Sequence, residues 1–376
     1  MSHVIVSLAV KLDADNQRSG RGDLAGLRKV LILRNSMIVA SFALSLGTVS
    51  DGPAAVLAAT VSTTAASMTA TAGQVLNTAK SNVTIKPPPA PPPAPASTRV
   101  ATPATVEKVL NGAKPGDTIT LAAGNYTAID VRHRQWNPPI TVDATAARLR
   151  GIKLWDVAGV TWHGGAFDGG DAVRGAFDLT ESSQITVDGT TMSHFTRYTI
   201  GLQNSSDIRL TNNSFTDMGS DGIDIALSRR VFVDHNVCAA SHPTPDAHPD
   251  CIQMWSRPTI TPTADITITN NTATGMTQGF TGFNHVRPNA AGKDIDDGGF
   301  DRIVIENNTA KVGYYHGISL YTCRKCIIRN NRVETMPNPD NPRVHAWIMY
   351  VDSPDMIACG NTVASAPGGP ETKRCK

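Results

Sequence analysis

"IRLTNNSFTDMGSDGIDIALSRRVFVDHN", residues 208–236, contains one pattern twice. In "IRLTNN" (208–213) and "VFVDHN" (231–236) two apolar residues alternate with polar ones, and each segment closes on Asn. A period of two is the signature of a strand with one buried face. Between the two copies "GIDIA" (222–226) alternates in the same way, so one unit holds at least two short strands and no helical segment. Outward from this stretch the unit recurs as "ITVDGT" (185–190), "ITITNN" (266–271), "IVIENN" (303–308), "CIIRNN" (326–331) and "MIACGN" (356–361), with weaker copies "ITVDAT" (140–145) and "VTWHGG" (160–165). Aligned on their last residues, the copies are spaced 20, 25, 23, 23, 35, 37, 23 and 30 residues apart. A base period near 23 with inserted loops marks a solenoid. The fold expected is all-β: a right-handed parallel β-helix of two or three short strands per coil. Its recurring Asn residues are expected to hydrogen-bond up the stack and are assigned no chemistry.

A solenoid must cover its first coil. "TPATVEKVLNGAKPGDTITLAAGNYT" (102–127) supplies a short N-terminal capping helix, with Thr102 as N-cap, Pro103 at the first helical position and Val106, Val109 and Leu110 on one face. Upstream, residues 60–98 are Ala/Thr/Ser-rich and then Pro-rich ("KPPPAPPPAPAS"), which reads as a stiff spacer. Residues 1–59 read as an extension with a signal peptide: Arg28, Lys29 and Arg34 precede the apolar "MIVASFALSLG". The 376-residue chain therefore divides at 59 and 98, and 99–376 is the β-helix domain. A secreted, periplasmic or cell-envelope location follows, with no membrane span in the mature chain, and a monomer is expected. The net charge of +2 argues against nucleic-acid binding. All six cysteines lie in the domain. Cys238–Cys251 would close a loop, Cys359–Cys375 would pin the tail and Cys323–Cys326 would be a local bridge, among fifteen possible pairings.

Aligning the second strands of successive coils gives the outer face. Before the strand stand Asp221, Asp250, Gln278, His316 and His345; two positions in, Asp224, Gln253, Thr281, Ser319 and Ile348; two further on, Gln203, Ala226, Trp255, Phe283, Tyr321 and Tyr350. Stacked aromatics cover a core, or offer flat apolar platforms to sugar rings. Asp221, Asp224 and Asp250 fall close together, so a proton or a cation must separate them, and three carboxylates suit Ca²⁺. His248 and His285 stand on inserted loops, as do Arg287 and Lys293.

The cap and its "KPGDTITLAAGNY" entry resemble those of β-helical polysaccharide lyases of the pectate and alginate lyase type, and the coil repeat resembles the same superfamily over nearly all of 99–376. The resemblance implies an acidic polysaccharide as partner and β-elimination on a uronic acid. Arg287 or Lys293 would meet the substrate carboxylate, His248, His285 or His316 would be the base, Tyr321 the acid, and Asp250 would act with them as well as in the cation site. Gln253, Trp255, Phe283, His345 and Tyr350 would line the groove. A hydrolase is the alternative. "SDGID", "PDCIQ" and "YHGIS" resemble the polygalacturonase motif series, but with Ser220, His248-Pro249 and Tyr315 in place of its residues and the third motif 66 residues after Asp250. A C5-epimerase and a non-catalytic carbohydrate-binding solenoid are further alternatives.

Overall fold

The structure is a computed structural model that describes residues 96–241, 243, 247–256, 262–283, 287–288, 294–295, 298–364 and 375. Parallel strands stack on three faces. The first face runs Phe177–Thr180, Tyr198–Gln203, Asp221–Ala226, Asp250–Trp255, Gln278–Phe283, His316–Tyr321 and Trp347–Val351. The second carries the repeat first recognised, from Ser183–Asp188 through Ser206–Thr211, Arg229–Asp234, Thr263–Thr269 and Phe300–Glu306 to Ile357–Cys359. The third is built of short strands such as Ser214–Met218 and Thr272–Gly275. Inward positions form one continuous apolar stack: Ile200, Ile223, Ile252, Phe280 and Ile318 on the first face, and Ile208, Val231, Ile266 and Ile303 on the second, all at most 2% exposed.

The paired Asn of the repeat does two jobs at the bend between the second and third faces. The first position takes left-handed backbone, with φ of 55° at Asn212, 54° at His235, 55° at Asn270, 57° at Asn307 and 56° at Asn330. Among residues with a side chain, Asn bears that conformation best. The second position turns inward and builds a ladder. Asn213 Nδ2 donates to Asn236 Oδ1 at 2.9 Å, and the same bond repeats through Asn271, Asn308 and Asn331 to Asn361. At the opposite bend Ser182, Ser205 and Ser228 form a shorter ladder: the Ser205 and Ser228 hydroxyls accept the N–H of the serine one coil before, and the Ser182 hydroxyl accepts that of Val157. Both ladders give partners to backbone groups that a buried turn would otherwise orphan.

Disulfides join Cys238 to Cys251, Cys323 to Cys326 and Cys359 to Cys375, the three pairs expected. They suit a chain that matures in an oxidising compartment. A helix, Val106–Asn111, packs Val106 and Leu110 into the core beside the strand Ile129–Asp143. Its N-cap is Thr105, not Thr102. The Thr102 carbonyl accepts the N–H groups of Thr105 and Val106, and its hydroxyl meets the Thr105 hydroxyl instead of capping a helix N–H. Among the described residues no helix is long and apolar enough to cross a membrane. The signal peptide and nearly all of the spacer expected upstream lie outside the described residues.

The register of the last coil differs from expectation. Beyond a bulge between His316 and Ile318, Ile348 pairs with Ile318, Met349 with Ser319 and Val351 with Tyr321. One extra residue at Gly317 shifts the pairing by one, which exchanges the two sides of the strand. Ile348 and Tyr350 therefore do not continue the Ser319 and Tyr321 columns. Trp347, not His345, pairs with His316.

Candidate functional site

The outward column of the first face reads, rung by rung, Asp178, Gly201, Asp224, Gln253, Thr281 and Ser319. Strand alternation fixes these positions but not their exposure. Gln253 and Thr281 are at most 1% exposed. Asp250, at the first position of its strand, bends to the same side. Its Oδ1 accepts the Thr281 hydroxyl at 2.7 Å and its Oδ2 accepts Gln253 Nε2 at 3.0 Å. Gln253, expected to bind substrate, is thus a buried support for Asp250.

Asp221, Asp224 and Asp250 are brought together, as the alignment required. Asp221 Oδ1 accepts the Asp250 N–H at 2.9 Å, and Asp221 and Asp224 hydrogen-bond through their carboxyl groups. Burial, with the neighbouring Asp250 and Asp224 charges added, pushes the Asp221 carboxyl well above the usual carboxylate range. Burial raises Asp224 to about 6, against the pull of hydrogen bonds from Trp255 and Asp221. Asp250 is also raised by burial, opposed by His248 and Thr281. Two carboxyls sharing one proton are the physical answer to their proximity. Trp255 Nε1 donates to Asp224 Oδ1 at 3.3 Å.

Calcium, the other expected answer to this proximity, would share these carboxylates with the hydrogen bonds they already make. Asp221 accepts the Asp250 N–H, and each Asp250 oxygen accepts one side-chain hydrogen bond. Gln253 Oε1 and Gln278 Oε1 are buried without a hydrogen-bond partner. Among the described residues no group of three His, Cys, Asp or Glu is placed to hold a metal.

His248 Nδ1 lies 3.5 Å from Asp250 Oδ2, and that contact raises its pKa. His316 goes the other way, lowered by burial and by the nearby His248. Trp347 Nε1 donates to His316 Nδ1 at 3.3 Å, and the Ser319 hydroxyl lies 2.7 Å from the same nitrogen. An indole N–H can only donate, so Nδ1 accepts and the neutral ring carries its proton on Nε2. Around His316 the aromatics form a continuous row: Phe283 packs on Tyr321 at 5.2 Å, His316 stands edge-on to Phe283 and Trp347, and Tyr315 stacks on Trp347 at 4.9 Å. Trp255, Phe283 and Tyr321 occupy the expected column. Tyr350 is exposed but in register with the inward Leu320. His345 lies before the last strand, away from the His316 rung. His285, Lys293 and the side chain of Arg287 lie outside the described residues.

Sequence reasoning missed the cleft beside Asp224. Asp178, Tyr198, Gly201 and Gln203 line it with Asp224 and Trp255, and Arg174 and Arg197 stand at its edge. It opens where Gly201 interrupts the column: a methyl group there would sit 2.6 Å from Tyr198 Cε2. The signal was present in "AFDLT" and "TIGLQ", which extend the Asp224 column two coils toward the N-terminus.

The model of the right-handed β-helix region matches residues 140–273 and 175–341, and the chain belongs to that family. No curated protein matches the sequence. Among solved structures the chain is similar to a PL6 family alginate lyase, AlyGC (14% identity, 70% of this chain and 40% of that one, TM-score 0.47). It is also similar to the tailspike protein of E. coli bacteriophage HK620 in complex with a pentasaccharide (14% identity, 69% and 52%, TM-score 0.46). A third similar structure is the endo-xylogalacturonan hydrolase from Aspergillus tubingensis (12% identity, 73% and 100%, TM-score 0.40). The chain spans about half the length of the first two.

Proposed function

We propose that the protein is an exported glycoside hydrolase that cleaves a polysaccharide lying along the first face. The observation that carries this reading is the pair Asp178 and Asp224 on the cleft. Gly201 pairs with Asp178 on one side and with Asp224 on the other. The two backbones are therefore two strand spacings, about 10 Å, apart, with an empty column position between them. Inverting hydrolysis needs carboxyls roughly 6.5–9.5 Å apart, so that a water fits beside the sugar. Asp224, raised to about 6 by burial, is the general acid that protonates the leaving oxygen. Asp178 is the base that activates water. Asp221 holds a proton against Asp224, and Asp250, locked by Thr281 and Gln253, fixes Asp221 through its N–H.

Elimination, favoured on sequence grounds, is the weaker reading on this geometry. His248 is paired with Asp250, and His316 presents a protonated Nε2 while its Nδ1 is occupied. His316 is therefore not poised as the base, and no second group is placed beside His248 to meet a uronate carboxylate among the described residues. The test is to incubate the protein with alginate, pectate, glucuronan and neutral glycans while following reducing ends, product anomer and the ultraviolet absorbance of unsaturated uronates. Hydrolysis gives reducing ends of inverted configuration without absorbance. Absorbance rising in step with the ends would overturn the reading in favour of a lyase. A chelator is expected to leave the rate unchanged.

A further inference from the structure

We infer that the cleft over Gly201 is a subsite for a carboxylate-bearing sugar, recognised by Arg174 and Arg197 and stacked on Tyr198. This deepens the proposed function and rests on its carbohydrate reading. Arg174 and Arg197 occupy equivalent turn positions one coil apart, since the N–H groups of Arg197 and Tyr198 both donate to the Arg174 carbonyl. On the second face two guanidinium groups are matched to carboxylates one coil away: Arg230 to Asp207 and Arg302 to Asp265. Arg174 and Arg197 form no ion pair among the described residues, and both are exposed at the cleft. Two adjacent unpaired forks are suited to a carboxylate, which guanidinium binds through paired N–H donors.

The space is built. Gly175 and Gly201 both stand against the Tyr198 ring, where a side chain on either would collide with it. The ring is half-buried, with the Arg174 guanidinium 6.0 Å from its centroid. Tyr198 thus offers an apolar surface to a sugar ring, while Asp178 and Asp224 accept from its hydroxyls. The turn position of the next coil is Ser220, so the basic pair ends where the aspartates begin. A uronate is held on the N-terminal side of Asp224.

Calorimetry on the whole chain tests this, with hexamers of mannuronate, galacturonate and glucuronate, each beside its carboxyl-reduced counterpart. The wild type is expected to bind one uronate hexamer at least ten-fold more tightly than its reduced form. R174Q and R197Q are expected to remove that preference without changing affinity for the reduced hexamer. Equal binding of both members of a pair, or a preference that survives R174Q/R197Q, would overturn the subsite and leave the carbohydrate reading standing. Binding of neither member of any pair would overturn both. The circular dichroism of each variant reports that it is folded.

Discussion

Asp224 carries the consequences of the cluster in a form that can be measured twice. Burial holds its folded-state pKa at about 6, above the ordinary carboxylate value of 3.8, so the folded protein binds its proton more tightly than the unfolded chain does. The stability gained from that proton is complete below about pH 4 and is lost as pH rises through 6. A shift of about two units corresponds to roughly 3 kcal/mol. D224N, which cannot ionise but keeps the acceptor for Trp255, is therefore expected to be more stable than wild type at pH 7, by up to that amount. Near pH 4 the two should match. Urea midpoints from pH 4 to 8 measure this, and identical midpoints at pH 7 would refute the raised pKa. The same substitution removes the general acid, and D178N removes the base. Each is expected to lower kcat about 10²–10⁴-fold. The wild-type rate should fall above pH 6 as Asp224 loses its proton. A site that is destabilising when ionised and necessary for turnover is a familiar trade between stability and activity.

At the scale of the element, the Asn ladder should be the most sensitive part of each coil. Asn271 Oδ1 accepts from the backbone N–H and the Nδ2 of Asn236, and its own Nδ2 donates to Val233 O, Thr269 O and Asn308 Oδ1. N271A leaves several of these buried groups without a partner, each costing about 1–3 kcal/mol. A loss of about 3–5 kcal/mol is expected in urea denaturation. H235N, which places Asn at the neighbouring left-handed position, should cost nothing. This level of the structure was open to sequence reading because the ladder repeats. "NN" after two alternating apolar residues specifies strand, bend and stacking register at once, and it recurs once per coil. The Ser182–Ser205–Ser228 ladder was less visible, since it follows strands of lower contrast and ends at Thr263.

Over the whole molecule, the triad of aspartates was legible because equivalent residues of a solenoid must stack. Gly201 was not, because the cleft is made by a missing side chain, which alignment records only as a gap in chemistry. The last coil was misaligned by one residue at Gly317, since a bulge has no signature in a pattern of alternating apolar residues. Its correction moves Trp347 beside His316 and extends the aromatic row to the end of the solenoid. Met349, two residues on, is four rungs from Asp224 (through Gln253, Thr281 and Ser319). Four strand spacings place it roughly 19 Å from the acid. A substrate that runs from the acid to Trp347 must span that distance, and a short one cannot. W347A removes exposed apolar surface (Trp347 is 37% exposed) together with a donor to His316 and the partner of Tyr315. It is expected to raise KM several-fold for polymer while leaving kcat/KM for a trisaccharide unchanged. W255A, beside Asp224, should impair both. Equal effects of W347A on long and short substrates would mean that the row stabilises the last coil and that the polysaccharide does not run along it.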